Sequence, residues 1–328
     1  MTLHISESEV RALLTMPAAI DAVEEISRRQ ASGEALVHAR RRIELGNGGF
    51  FHYMAGADFT AGFIAMKLYT FVRGNLGFLV PLYWIETGEL AALIEADYMG
   101  QMRTGAASGV ATKYLARREA RTAAIIGTGG QARTQLQAVA AVRKLEWAKA
   151  YGRDPERRER FCREMAQRIG VPVRAAASST EALHGADIVC TATTASRAVL
   201  NGADLAAGTH VNAIGANHAH KRELDDEAVR RAGVTVVDSI EQSRQEAGDL
   251  ILAFGGNESR WSAVQELHQI VAKRGQGRSS EGEITLFKSN GIAVWDTAVA
   301  IRVFQAAREK GIGRELPLWS EKPGRAAD

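Results

Sequence analysis

The pattern of apolar and polar positions changes character near residue 120. In the first part, the polar start of the chain predicts a helix capped by Ser6 with Glu9, and Pro17 opens a second helix. Alternating and aromatic-rich runs with glycine turns between them then predict strands at 41–45, 50–54, 62–71 and 80–85. A helix rich in alanine and glycine follows at 98–116. This part therefore predicts helices beside a mixed or antiparallel sheet.

In the second part, short apolar strands alternate with glycine or aspartate turns and amphipathic helices. The candidate strands lie at 122–126, 147–151, 172–176, 187–191, 210–214 and 235–237. Such alternation predicts an α/β fold with a parallel sheet wound on both faces. After a strand at 284–287, a long helix at 292–310 leaves this rhythm, so we expect the helix to pack back on the first domain. The predicted domains are a dinucleotide-binding domain and a discontinuous α+β domain, at 119–291 and at 1–118 plus 292–328.

Composition excludes several classes of protein. The chain has 328 residues, 46% of them hydrophobic and 24% charged, which is typical of a globular protein. A net charge of +3 without a lysine-rich arm disfavours a nucleic-acid partner. No apolar stretch approaches the roughly 18 residues that span a bilayer, and the start is unlike a signal peptide, so we expect a cytoplasmic protein without a membrane partner. Cys162 and Cys190 form no CxxC pair, which disfavours a disulfide framework or a zinc cluster.

The sharpest local motif is the glycine turn GTGGQA at 127–132, which joins an apolar strand directly to a helix. Gly127 permits the tight turn, Gly129 lets the backbone approach a pyrophosphate, and the small Ala132 allows the helix to pack closely on the strand. The helix N-terminus then faces the anion. The turn predicts cofactor contacts from Gly127, Gly129, Gly130, Gln131 and Ala132.

The end of the next strand bears on which dinucleotide is bound. An acidic residue there usually binds the ribose of NAD, and a basic residue favours NADP. Here the sequence has Gly152, Arg153 and Asp154, and Asp154 followed by proline is typical of a helix N-cap. If Asp154 caps the helix, it is not free to bind the ribose, and Arg153 remains to bind a 2′-phosphate. We therefore expect NADP(H), with NAD(H) as the alternative. The other interpretation of Arg153 is a solvated surface arginine.

Four separated motifs resemble the ornithine cyclodeaminase and mu-crystallin family. They lie, in the family's order, at 101–108, 127–132, 212–225 and 287–296. The resemblance runs through nearly the whole chain. It implies a homodimer in which a Rossmann-type domain is inserted into a substrate and dimerisation domain. It also implies hydride exchange between a nicotinamide and the α-carbon of a small amino or imino acid.

The resemblance also implies which cations hold the substrate. Arg103 matches the family arginine that binds the carboxylate, for which a planar guanidinium is suited. Lys67 matches the active-site lysine and lies in an otherwise apolar strand, where an unpaired ammonium is costly. A third cation is expected from Arg40, Arg41 or Arg42, and alternation counted back from the next strand favours Arg41.

Position 217 departs from the family pattern. The cyclodeaminases and alanine dehydrogenases carry an aspartate there, whereas Asn217 cannot take a proton. Lys221 and the segment 222–225 still match the family's residues around this position, so we predict that Asn217 stays in the site with altered chemistry. His218 and His220 have metal-like spacing but no third ligand, and we predict no metal. Further cofactor neighbours are expected at Thr104, Thr191, Thr193, Ile214, Lys221 and Ser289.

These residues favour an NAD(P)H-dependent reductase of a small α-imino acid, because reduction of a preformed imine needs no base to deprotonate an ammonium. Three alternatives remain open: an ornithine cyclodeaminase with recycled cofactor, an alanine-type amino-acid dehydrogenase, and a crystallin-like binding protein without turnover. Retention of Lys67 and Arg103 disfavours the last, since a carrier of apolar ligands has no need of a cationic carboxylate site.

Overall fold

The computed structural model describes residues 2–318, which fold into strands and helices in the following order along the chain. The strands are β1 (Thr2–Ile5), β2 (Ala35–Glu44), β3 (Phe50–Asp58), β4 (Phe63–Val72), β5 (Asn75–Trp84), β6 (Leu90–Glu95), β7 (Thr122–Ile126), β8 (Trp147–Tyr151), β9 (Val173–Ala175), β10 (Ile188–Thr191), β11 (His210–Ala213), β12 (Ala232–Val237), β13 (Gln265–Glu266), β14 (Ile284–Lys288) and β15 (Arg314–Leu316). The helices are α1 (Glu7–Leu13), α2 (Met16–Ser32), α3 (Asp97–Leu115), α4 (Gly130–Val142), α5 (Pro155–Ile169), α6 (Ser179–Leu183), α7 (Asp226–Arg231), α8 (Ile240–Glu246), α9 (Gly248–Phe254), α10 (Glu258–Ser262), α11 (Leu267–Val271) and α12 (Ala293–Lys310), with a 3₁₀ turn at Gly202–Asp204.

These elements form two compact units, each with its own sheet. The first unit comprises Met1–Thr15, Glu34–Gly100 and Ala293–Asp328, and the second comprises Met16–Gly33 and Gln101–Ile292. The fold class predicted from the sequence is confirmed, because a Rossmann-type parallel sheet interrupts a chain whose two ends share a separate sheet.

The sheet of the first unit has seven strands in the order β15-β1-β6-β5-β4-β3-β2. All neighbours are antiparallel except β1 and β6, so the expected mixed sheet is observed. One face of the sheet packs against α12, where Phe63 and Trp84 contact Phe304. The predicted helix capped by Ser6 and Glu9 is observed as α1, whereas the residues before it, Thr2–Ile5, form β1, which was not predicted. This four-residue strand has no clear alternation and is held by hydrogen bonds to β6 and β15.

The sheet of the second unit is parallel throughout, in the order β13-β12-β14-β11-β10-β7-β8-β9. The strand order reverses between β7 and β10, because the chain proceeds from β7 to β8 and β9 on one side and continues with β10 and β11 on the other. In open parallel sheets, ligands bind outside the carboxyl ends of the strands at such a switch point. The glycine turn at 127–132 follows β7 and therefore lies at this position.

Of the helices that the sequence assigned to the first domain, α2 and the part of α3 from Gln101 onward belong to the second compact unit. Helix α2 packs on α4 and α11, and α3 is buried on nearly all sides from residue 101 onward. A Cβ at Gly109 would approach Ile20 and Ala138 to within 3.4 Å, which explains why α3 is rich in small residues. The predicted functional domains, 1–118 with 292–328 and 119–291, stay a prediction, and residues 1 and 319–328 of them lie outside the described part of the chain.

A buried histidine in β11 makes the stability of the second unit dependent on pH. The Nδ1 of His210 lies 2.9 Å from Thr285 Oγ1, and its Nε2 lies 3.2 Å from Asn212 Oδ1. Burial, assisted by the charge of Arg278, lowers the pKa of His210 from 6.5 to about 3. In the unfolded chain this histidine binds a proton near pH 6.5, whereas in the folded chain it binds one only near pH 3. The free energy of unfolding therefore falls as the pH drops from 6.5 towards 3.

We expect this histidine alone to reduce the free energy of unfolding by up to about 1.4 kcal/mol per pH unit below pH 6.5. Urea titrations at several pH values would measure it. His210→Gln should have a flatter pH dependence than the parent in this window, whereas His184→Gln, at an exposed histidine, should match the parent. Equal slopes for the parent and His210→Gln would contradict the assignment.

Candidate functional site

The turn after β7 has the backbone that a dinucleotide requires. Gly127 has a φ of +118°, and a Cβ there would overlap the carbonyl oxygen of Ala192, so only glycine is accommodated. Its N–H donates to the carbonyl of Tyr151 at 2.8 Å, which fixes the turn between β7 and β8. This strain and close approach explain the first glycine of the motif.

The next glycines start helix α4 and leave its N-terminus open. Gly129 is the N-cap, and a Cβ there would meet only a guanidinium nitrogen of Arg157, at 3.8 Å. Gly130 lies against the side chain of Gln101, Gln131 is half-buried, and Ala132 is fully buried in the core. Helix α4 has 13 residues and no side chain caps its N-terminus, and the first N–H groups of a helix have no partner within it, so this N-terminus can bind an anion. The turn therefore fits the pyrophosphate of a dinucleotide.

At the end of β8, the structure confirms that Asp154 is the N-cap of α5. Its Oδ1 accepts the N–H of Arg157 at 3.0 Å, so the first acid after this strand is occupied by the cap. Gly152 has no room for an acidic side chain, since its Cβ would lie 2.7 Å from Thr128 Oγ1. Arg153 is exposed, and Arg157 donates from Nε to the carbonyl of Thr128 at 3.3 Å. The sequence analysis missed Arg157, which lies four residues after Arg153 and closer to the glycine turn.

Thr191 and Thr193 follow β10, on the other side of the switch point. Thr191 is buried, and its hydroxyl donates to Oε2 of Glu223 at 2.8 Å. The backbone N–H and the hydroxyl of Thr193 both donate to Oε1 of the same carboxylate, at 2.6 and 2.7 Å. Ile214, whose N–H donates to the carbonyl of Thr191 at 3.0 Å, is also buried. These predicted cofactor neighbours thus lie together at the ends of β10 and β11, and Glu223, which holds them, was not predicted.

The turn after β14 brings Ser289 close to Arg103. Asp238 accepts hydrogen bonds from the hydroxyl of Ser289 at 3.0 Å and from the N–H of Asn290 at 2.7 Å. It also accepts the N–H of Gly291, and a Cβ at Gly291 would overlap the guanidinium of Arg103. Arg103 is 6% exposed. The buried Asp238 is a second carboxylate that the sequence analysis missed, and it fixes the turn against which the predicted carboxylate-binding arginine lies.

The loop after β11 contains the position at which this chain departs from the family. Asn217 Oδ1 lies 3.0 Å from Nδ1 of His218, so the ring and the amide orient one another. Lys221 is half-buried, and its N–H donates to the carbonyl of His218 at 3.0 Å. Thr104 is buried on α3, one residue after Arg103. Within residues 2–318, no three histidine, cysteine, aspartate or glutamate side chains are grouped as metal ligands, and no helix is long and apolar enough to cross a membrane.

In the first unit, Lys67 is a buried ammonium on β4. It is 4% exposed and forms an ion pair with Asp296 of α12 at 2.9 Å between Nζ and Oδ1. Its Nζ also lies 5.0 Å from the ring centre of Phe78, and a Cβ at Gly100 would come within 2.8 Å of it. Asp296 neutralises the charge of Lys67, which its apolar neighbours on β4 cannot do. The sequence predicted that Lys67 needs such a partner.

The register of β2 bears on the choice of the third cation. Lys67 is opposite Met54, and two residues along β3 His52 is opposite Arg42, so Arg42 is on the face of Lys67. Arg41 is opposite Tyr53 and points to the other face. A bulge between His38 and Arg41 shifts the register only before these regular pairs.

The arginine that is buried on the Lys67 face is Arg40, which is 8% exposed, whereas Arg41 and Arg42 are exposed. The choice of Arg41 therefore needs correction, since its strand position directs it away from Lys67. The cause is the register of the hairpin formed by β2 and β3, which pairs Arg41 with Tyr53 and which the distance along the chain to Met54 does not fix.

Comparison with known proteins agrees with this architecture. The family described as "Ornithine cyclodeaminase/mu-crystallin family" matches residues 2–311. A Δ1-pyrroline-2-carboxylate reductase of Bacillus cereus is 40% identical over 239 residues, which are 73% of each chain. The structure of the Thermococcus litoralis Δ1-pyrroline-2-carboxylate reductase with NADH and L-proline has 37% identity, a TM-score of 0.91, and covers 96% of this chain and 100% of its own.

An archaeal alanine dehydrogenase, solved as a dimer with bound NAD, has 32% identity and a TM-score of 0.90, and the match covers 97% of this chain and 99% of that one. Relatives with two different activities thus share this fold over nearly its whole length. The resemblance found in the four motifs is confirmed. The chain belongs to the ornithine cyclodeaminase/mu-crystallin family.

Proposed function

We propose that the chain is an NAD(P)H-dependent reductase that converts a small cyclic α-imino acid, of the Δ1-pyrroline-2-carboxylate type, to the amino acid. The observation that carries the proposal is the buried Lys67 ammonium, paired with Asp296, in a chain whose position 217 is an amide. A protonated amine can supply a proton, whereas an amide cannot remove one. Reduction of a preformed imine needs the first ability and not the second. The B. cereus and T. litoralis relatives support the same reaction.

The residues divide the reaction between them. When bound, a nicotinamide would supply the hydride that the imine carbon receives. Lys67 donates a proton from Nζ to the imine nitrogen, so that one C=N double bond becomes a CH–NH unit and the lysine is left neutral until it regains a proton from water. Arg103 binds the substrate carboxylate with its planar guanidinium, and Arg40 is the second cation for that carboxylate. Asp296 orients Lys67 and balances its charge before the transfer.

The amide of Asn217 has a different role from the family's aspartate. Its Oδ1 faces His218, which directs Nδ2 away from that ring and makes it available as a donor. A donor at this position can hold a substrate or cofactor oxygen but cannot act as a base. Reduction of a preformed imine needs no base at position 217, so we propose that the chain works in the reductive direction.

The experiment that tests the proposed function is a substrate panel followed at about 340 nm, where the reduced nicotinamide absorbs. Cyclic imino acids of five- and six-membered rings should be reduced with NADH or NADPH. Three other results would each replace the proposal. Release of ammonia from ornithine without a net absorbance change indicates a cyclodeaminase, alanine-dependent reduction of NAD(P)⁺ indicates a dehydrogenase, and binding without any turnover indicates a carrier.

The cofactor is NAD(H) in the solved relatives, and we propose that this chain also accepts NADP(H) and binds it more tightly. Two arginines support the preference: Arg153 is exposed beside Gly152, and Arg157 contacts the glycine turn through Thr128. Arg153→Ala should weaken NADPH binding by about tenfold, since a charge-assisted hydrogen bond to phosphate contributes about 1.5 to 3 kcal/mol.

Binding of NADH should change less than twofold in the same variant, because NADH lacks the 2′-phosphate. Fluorescence titration with both cofactors measures the two affinities. Arg160→Ala, at an exposed arginine on α5, serves as the control. Unchanged NADPH binding in Arg153→Ala would show that this arginine is a solvated surface residue that does not bind the 2′-phosphate. The proposed cofactor would then be NAD(H).

A second copy of the chain is the proposed partner. The strand face that carries Arg41 also exposes three aliphatic side chains, Leu36, Ile43 and Ile64, each more than 40% exposed. An apolar sheet face of this kind is typical of a surface that is covered in an oligomer. The archaeal relative, solved as a dimer, supports the homodimer. A cytoplasmic location stays a prediction.

A further inference from the structure

Glu223 is a fully buried carboxylate that no predicted role accounts for. It accepts four hydrogen bonds, two on each oxygen. Oε2 receives the hydroxyl of Thr191 at 2.8 Å and the N–H of Gly215 at 2.6 Å. Oε1 receives the N–H and the hydroxyl of Thr193 at 2.6 and 2.7 Å. One side chain therefore ties the segment after β10 to the segment after β11.

These two segments lie next to the glycine turn. Strand β10 pairs with β7 on one side and with β11 on the other, and all three are parallel. A Cβ at Gly127 would overlap the carbonyl oxygen of Ala192. The segment that contains Thr193 therefore lies directly against the glycine turn. A Cβ at Gly215 would lie 2.6 Å from the N of Thr193 and 2.5 Å from Glu223 Oε1. The separation of the two segments is thus fixed closely by Glu223 and by the absence of a side chain at 215.

A second carboxylate and a lysine fix Glu223 itself. Asp249 Oδ1 accepts the N–H groups of Glu223 and Leu224 at 2.6 and 2.8 Å. The other oxygen of Asp249 pairs with the fully buried Lys288 at 3.1 Å, and Lys288 also donates to the carbonyl of Ala216. Burial raises the pKa of Glu223, Lys288 opposes that change, and Asp249 adds to it. Such a cluster is costly to bury and is retained where it fixes a geometry.

We propose that Glu223 is a positioning residue that sets the distance between residues 191–193 and 214–217, and that these two segments bind the nicotinamide half of the dinucleotide. The site of the pyrophosphate, at 127–132, precedes them at the same edge of the sheet, so the nicotinamide extends towards β10 and β11. A carboxylate is needed because the two backbone N–H groups, of Thr193 and Gly215, approach different oxygens. This inference rests on the proposed function only for the binding of the dinucleotide, and its test uses no imine substrate.

The test compares two ligands that differ in the nicotinamide alone. Glu223→Gln keeps the shape but turns an NH₂ group towards one of the two backbone N–H groups, which leaves that group unpaired. We expect the affinity for NADH to fall about tenfold or more, while the affinity for ADP-ribose changes less than twofold. If the parent protein binds NADPH more tightly than NADH, the two ligands compared are NADPH and 2′-phospho-ADP-ribose. Isothermal titration calorimetry measures all the constants without turnover.

The matched control is Asp225→Asn, in the same segment. Asp225 caps α7 by accepting the N–H of Ala228 at 2.7 Å and also accepts that of Gly202 at 2.9 Å, so its loss weakens the fold without touching the two segments. This variant should leave the ratio of the two affinities unchanged. Equal weakening of both ligands in Glu223→Gln would make Glu223 a general structural residue and overturn the proposal, as would no weakening of either.

If Glu223→Gln does not fold, Thr191→Val gives the same decision. It is nearly isosteric and removes one donor to Oε2. The expected result is a twofold to fivefold loss for the intact dinucleotide with no loss for ADP-ribose, and an unchanged ratio overturns the proposal. Because these are binding measurements, a selective loss of nicotinamide affinity would stand even if the substrate panel found no imine reduction.

Discussion

Replacing Lys67 with methionine should lower kcat/KM for a cyclic imino acid by about a hundredfold to ten-thousandfold, the range for loss of a general acid. Methionine preserves the length of the side chain among the apolar residues of β4 but carries no proton. The effect should appear mainly in kcat, because proton donation is needed only in the transition state. Steady-state rates with saturating reduced cofactor measure it.

The stability of this variant must be separated from its chemistry. Removing the ammonium leaves Asp296 buried without its charge partner, and breaking a buried pair costs about 3 to 5 kcal/mol. The double variant Lys67→Met with Asp296→Asn removes both charges and should recover much of the stability but none of the activity. Lys149→Met, at a lysine on β8 that donates to two backbone carbonyls, is the control for loss of a strand lysine. Activity of Lys67→Met within threefold of the parent would exclude Lys67 as the acid.

Replacing Arg103 with alanine should raise KM for the imino acid so that kcat/KM falls by about thirtyfold or more. Loss of one partner of a buried, hydrogen-bonded charge pair costs at least about 2 kcal/mol, which is about thirtyfold. The smaller side chain relieves no close contact, since Gly291 already leaves room for the guanidinium. A KM-dominated effect is expected because the carboxylate is bound in both the ground state and the transition state.

A substrate without the carboxylate distinguishes the assigned contact from a general loss of structure. The simple cyclic imine 1-pyrroline should be reduced slowly by the parent, and Arg103→Ala should change that rate by less than threefold. A penalty of equal size for both substrates would show that Arg103 supports the fold and does not bind the carboxylate. Arg160→Ala should affect neither substrate.

The glycine turn and the Asp154 cap were predictable because both depend on neighbouring residues. A strand, a turn that requires a positive φ, and a helix start follow one another between Thr122 and Ala132, and the N-cap contact of Asp154 spans only three residues. Steric rules and short hydrogen bonds of this kind are properties of local sequence. The structure therefore reproduces them closely.

The third cation was mispredicted for a physical reason. Alternation places Arg41 and Arg42 on opposite faces, but which of the two shares the face of Lys67 depends on the register between β2 and β3, in which Arg41 is opposite Tyr53. That register depends on pairing with β3, which the residues of β2 do not encode alone. Arg40 is buried, whereas Arg41 and Arg42 are exposed.

The carboxylates Glu223, Asp238 and Asp249 could not be recognised as buried from their sequence positions. Glu223 lies in a loop beside charged residues, Asp238 directly follows β12, and Asp249 is in the first turn of α9, all positions at which acidic residues are ordinarily solvated. In the structure each accepts backbone N–H groups of other segments, and those acceptors are needed only once the strand ends have been brought together. A signal that could have found Glu223 is the segment RELD itself, which is part of the family resemblance.

The amino-acid sequence by itself determined the fold class, the family, the dinucleotide turn and the presence of a lysine that must be paired, because these follow from periodicity, local sterics and the cost of an isolated buried charge. Only the tertiary structure decided that Asp296 is the partner of Lys67, that Arg40 and not Arg41 is on its face, and that Glu223 joins the ends of β10 and β11. Those outcomes depend on contacts between residues 8 to 229 positions apart, whose geometry exists only after the chain has folded.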